Sequence, residues 1–191
     1  MHAVDSSTYR WVAARHGAVP AGAPAHGREA NGTPLWVCRA TVDGGLYPGK
    51  VRPAFGAANI GYRGAEIKVA NYEVLIDAGR WAAASGGEIP DDAEPFGHAA
   101  TGERLYVVRA VLPGRGRHLG HIRPGSPAAL IPYAGRNLEV TSYQVLIVSG
   151  RKPQVAVDAV RLPQTSGVTL PDFAAPPAAR PATVPSSTPD A

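Results

Sequence analysis

The chain has one cysteine, Cys38, in 191 residues, so it holds no internal disulfide and suits a reducing compartment. Charged residues make up only 18%. The net charge of +4 is dispersed over singly placed side chains such as Arg39, Arg52, Arg63 and Lys68. Without a Lys/Arg stripe interleaved with aromatics, no nucleic-acid partner is expected. No apolar run reaches the roughly 18 residues of a membrane span, so none is expected. The opening MHAVDSSTYR has no basic segment followed by an apolar one. No secretory leader is therefore expected; the cytoplasm is the default, and localisation is otherwise open. Long amphipathic helices are missing too. Gly (22) and Pro (19) are abundant instead, favouring short strands and turns. An all-β fold is expected.

What is present is a sentence written twice. LWVCRATVDGGLYPGK begins at Leu35 and LYVVRAVLPGRGRHLGH at Leu105. An offset of 70 pairs Gly17 with Gly87, Leu35 with Leu105, Arg39 with Arg109 and Ala40 with Ala110. After one extra residue near PGRGRH, an offset of 71 pairs Gly49 with Gly120, Arg52 with Arg123, Tyr62 with Tyr133 and Gly64 with Gly135. Two units of about 70 residues are too few and too long for an open solenoid. We expect two pseudo-symmetric β-rich repeats packed as one unit, residues 9–78 and 79–149. Residues 150–162 alternate apolar and polar, as a closing strand would. Residues 163–191, rich in Pro and Ala, are expected to be a disordered tail, because they bury too little apolar surface to offset their ordering entropy.

The blocks GAVPAGAPAHGRE, LWVCRA, GLYPGKV, YRGAE and NYEVLI resemble the DM-nine repeat over about Trp11 to Ile147. That family includes tandem-repeat, mannose-binding lectins and the lectin part of natterin-like toxins. The resemblance implies a non-catalytic lectin for mannose or a related neutral sugar, with mannose-type glycans as partners. It also implies that an acid and the lysine of PGK hold the sugar hydroxyls. These are Glu29 and Lys50 here; the acid is more usually aspartate, and Glu29 reaches one methylene further. No cofactor and no metal is implied.

The chemistry agrees with that pair. A carboxylate accepts from two adjacent hydroxyls while an ammonium donates to their lone pairs. Gly27 and Gly49 beside them would allow close approach of a ligand. A monosaccharide of about a dozen heavy atoms, at about 0.3 kcal/mol each, binds with millimolar affinity. Sites that weak work when several are presented together, so a homo-oligomer is expected.

The first copy carries Glu29, Lys50, Glu66 and Glu73 where the second has Ala99, His121, Asn137 and Gln144. The clamp is thus expected in the first copy, with Glu66 a further candidate contact or, preferably, the buried partner of Arg39. The second-copy site is lost or altered. Arg39 and Arg109, mid-strand in both copies, are assigned structural roles. So are Tyr62, Tyr72, Tyr133 and Tyr143, although one of these could stack on a sugar. HLGH places His118 three residues before His121 with no nearby carboxylate or cysteine in sequence, and reads as a structural or exposed pair. The acids of PDDAE sit in a turn and make no glycosidase pair. Lys50→Ala is expected to abolish sugar retention with little change in melting temperature. The competing reading is a structural or self-assembly module with a vestigial sugar site.

Overall fold

The Val- and aromatic-rich segments form strands, and turn residues punctuate them. The structure is a computed structural model that describes residues 10–147. The expected closing strand and tail lie outside the described residues.

The first copy supplies β1 (Trp11–Arg15), β2 (Gly27–Glu29), β3 (Pro34–Val42), β4 (Gly45–Val51), β5 (Ala58–Tyr62), β6 (Ala65–Val69) and β7 (Asn71–Leu75). The second repeats the order as β8 (Arg80–Ser85), β9 (Gly97–His98), β10 (Arg104–Leu112), β11 (Gly116–Ile122), β12 (Ala129–Tyr133), β13 (Arg136–Val140) and β14 (Ser142–Ile147). A short 3-10 turn, Pro53–Phe55, follows β4.

Hairpin chemistry sets the registers. β3 and β4 pair from Trp36↔Val51 to Val42↔Gly45. Their two-residue loop, Asp43-Gly44, has both φ angles positive (45° and 82°), which matches strand twist. In the second copy Leu112 pairs with Gly116, leaving three loop residues. That longer loop is where the repeat offset changes from 70 to 71.

All strands belong to one 14-stranded antiparallel system. Following the ladders from β3 through β2, β11, β12, β13, β6, β5 and β4 returns to β3, closing a β-barrel. The copies interlock. β2 of the first leans on β11 of the second, and β9 of the second leans on β4 of the first. Closure removes the exposed edges along this circuit.

The core reflects the same exchange. One apolar cluster around Val51, Ile60 and Val74 belongs to the first copy, and another around Val108, Ile131 and Val145 to the second. Between them Leu35, Val37 and Leu75 pack with Phe96, Val107, Leu119 and Leu146. Neither copy completes that middle layer alone. No helix among the described residues is long and apolar enough to cross a membrane.

Candidate functional site

Strands β4 and β11 occupy equivalent places in the two copies, and each sends one side chain to either of two poles. Residues three apart on a strand point to opposite faces. Thus Lys50 and His118 meet at one pole, with Nζ 3.0 Å from Nδ1. Tyr47 and His121 meet at the other, with ring centroids 6.0 Å apart. The two histidines of HLGH are therefore separated by their own backbone. Both are buried rather than exposed.

The first pole gathers Glu29, Lys50 and Glu66 around His118. Lys50 is 2% exposed. Its Nζ donates to His118 Nδ1 and to the Pro132 carbonyl, and lies 3.6 Å from Glu66 Oε1. An ammonium has three hydrogens; two have acceptors here, and Glu66 supplies an ion pair beyond hydrogen-bond range. Glu66 also accepts from Asn59 Nδ2 and from the Gly135 amide. Glu29, more accessible at 19%, faces His118 Nε2 at 3.6 Å and Arg52 Nε at 3.4 Å. Tyr133 walls the site, its ring centroid 4.8 Å from that of His118.

Hydrogen bonding fixes the imidazole. With Lys50 donating to Nδ1, the proton of His118 sits on Nε2 and is given to the Arg115 carbonyl. Burial, then the neighbouring ammonium, holds the His118 pKa below its ordinary value, so the ring is neutral at pH 7. Burial also lowers the Lys50 pKa, while Glu66 and Glu29 oppose that shift. The pole therefore holds a buried ammonium between two acids and a neutral imidazole.

Three expectations are corrected. Glu66 is not the partner of Arg39. That partner is Glu73, 2.7 Å from Arg39 Nε, because Arg39 and Glu73 are register partners across β3 and β7. The close approaches at Gly27 and Gly49 are to neighbouring strands. A Cβ on Gly49 would lie 2.4 Å from the Asn59 carbonyl oxygen, and one on Gly27 2.5 Å from that of Arg117. Lys50, expected to be removable with little change in melting temperature, is instead 2% exposed, since β4 continues through Pro48 and Gly49 to Val51 and carries it inward. Cys38 is buried, and burial raises its pKa, as expected of an inert thiol.

His118 and Pro132 were not legible as site residues, and Tyr133 was named only as one of four tyrosines that could stack on a sugar, because the second copy supplies all three to a pole centred on first-copy charges. The reciprocal pole shows the same exchange. Its cleft, about 440 Å³, is lined by first-copy Tyr47 and Tyr62 and by second-copy Glu103, His121, Arg123 and Asn137. The two tyrosine rings meet edge to face, 5.2 Å between centroids. His121 donates from Nδ1 to the Pro48 carbonyl, and burial lowers its pKa to about 4. Where the first pole holds a buried ammonium, the second is an open cleft with a neutral histidine at the aligned position.

The solved structure of the nematode sperm cell motility protein MFP2B is similar in fold, with a TM-score of 0.51 at 14% identity. The match covers 78% of this chain and 47% of that one, so the chain spans about half its length. A search of curated protein sequences finds no match. The family comparison is decisive: the DM9 repeat matches residues 2–69 and again 56–140. With two tandem matches over most of its length and a doubled, interlocked barrel, the chain belongs to the DM9 repeat family.

Proposed function

We propose that this protein is a non-catalytic carbohydrate-binding protein that takes a neutral, mannose-like sugar at the pole formed by Glu29, Lys50 and Glu66. The observation that carries this reading is the convergence of Glu29 and Lys50 on opposite nitrogens of one imidazole, His118. An acid and an ammonium that could have faced different surfaces lie on either side of the same ring.

The roles differ with accessibility. Glu29 is the acceptor that an arriving diol reaches first. Lys50 lies behind it, and a sugar hydroxyl replaces the His118 or Pro132 acceptor on its ammonium. Glu66 fixes the lysine and the Gly135 turn. Affinity per site is millimolar on the heavy-atom argument above, so homo-oligomers give useful avidity toward mannose-type glycans.

Glu29→Gln tests the clamp, since it removes the charge but keeps the side-chain volume. Wild type is retained on mannose-agarose and the variant is not, at equal melting temperature. Equal retention overturns the assignment. One observation favours a second reading: the buried Lys50 ammonium already has two hydrogen-bond acceptors and an ion-pair partner within the chain. If the wild-type protein ignores a broad glycan array yet forms a stable oligomer, the cluster is a structural knot in a self-assembly module.

A further inference from the structure

A second pair of clefts lies where β3 meets β7 and where β10 meets β14, away from both poles. The two are equivalent in position and similar in size, about 460 and 440 Å³. Each is built on an arginine stacked over a tryptophan. Arg39 lies 4.0 Å from the Trp11 ring and Arg109 4.3 Å from that of Trp81. Their charges are handled differently.

In the first-copy cleft, Arg39 is neutralised by Glu73, and Leu46 lines the wall. In the second, Gln144 replaces the glutamate and accepts from Arg109 Nε at 2.8 Å without neutralising it. Arg117 replaces Leu46 in the lining. Arg28 is the register partner of Arg117 across β2 and β11, so their side chains share a face. The remaining polar lining is Thr141, Ser142, Tyr143 and Gln144, and among the described residues no carboxylate lines this cleft. The crowding is felt by Arg109, whose pKa falls to about 10 through burial, then Arg117 and Arg28.

We propose that the cleft between β10 and β14 is an oxyanion site, in which Arg109 and Arg117, backed by Arg28, bind a sulfate or phosphate group. Guanidinium forks match tetrahedral oxyanions in a bidentate way, and neutral hydroxyl and amide groups complete such a shell. The site is independent of the sugar pole, and it explains why only one of two equivalent clefts lost its acid while gaining arginines.

The test is titration of the full chain with inorganic sulfate, inorganic phosphate and a sulfated disaccharide at constant ionic strength. Tryptophan fluorescence is the readout, because Trp81 lies under Arg109. The expected result is a saturable change, weakened at least tenfold in Arg28→Gln/Arg117→Gln and in Gln144→Glu. The latter recreates the Arg39–Glu73 arrangement and so preserves the fold. Arg15→Gln/Lys68→Gln removes the same charge from exposed strand positions and leaves the response intact. Tighter binding of the disaccharide than of inorganic sulfate shows that the site also reads the sugar carrying the group. No saturable response in wild type, or equal weakening in both double variants, overturns the proposal.

Discussion

Removal of the Lys50 ammonium leaves His118 Nδ1 and the Pro132 carbonyl without the donor it supplies, and Glu66 without its counter-charge. Breaking a buried pair from one side typically costs about 3–5 kcal/mol. Lys50→Met keeps the apolar stem, so the loss it reports is that of the charge. Its melting temperature is expected to fall by on the order of 10 °C in calorimetry. This reverses the expectation from sequence that truncating Lys50 would leave stability nearly unchanged, because a lysine after Pro-Gly reads as solvated when its burial is unseen. Glu29→Gln behaves oppositely. The carboxylate is partly exposed, its ion pair with Arg52 is 3.4 Å long and its approach to the neutral His118 ring 3.6 Å, so its loss costs stability little, within about 1 kcal/mol. The two substitutions separate the structural from the recognising half of the clamp.

Strand β4 sets the position of Lys50, and Gly49 sets the position of β4. With an added Cβ 2.4 Å from the Asn59 oxygen, Gly49→Ala forces β4 away from β5. We expect a fall in melting temperature of at least several degrees, with faster amide exchange at Asn59 and Ile60, their ladder partners. Wild-type exchange in the variant would show that β5 yields without cost. Strand identity and the turn at Asp43-Gly44 were legible in the sequence, since alternation and positive-φ residues act locally. The repeat was legible too, because Gly, Pro and Tyr recur in order. The pairing of β2 with β11 and of β9 with β4 was not, because nothing local in GRE or GH names a partner in the other copy. That is also why Glu29 and Lys50 were singled out together and His118 was not placed beside them. The former lie in recognisable first-copy motifs, whereas the latter reaches their pole only through the interlock.

For the molecule as a whole, buried neutral histidines tie stability to pH. Burial lowers the pKa of both His26 and His121 from 6.5 to about 4. Below 6.5 the unfolded chain therefore takes up protons that the folded chain refuses. Their stabilising contribution is complete above about pH 6.5, falls as the pH drops toward 4, and is at most about 3 kcal/mol for each residue. His118 shifts in the same direction. Denaturant midpoints are thus expected to drop between pH 7 and pH 4.5, with a smaller drop in His121→Gln; a flat wild-type profile would contradict this. The interlocked barrel also makes each pole the joint property of two copies, so an isolated copy lacks part of either pole. The decisive measurement is an amide-resolved NMR titration of the full chain with mannose, beside Glu29→Gln. The account predicts saturable millimolar shifts centred on Glu29, Arg52, His118 and Tyr133 that vanish in the variant. Shifts that are absent from wild type, or unchanged by Glu29→Gln, would contradict it.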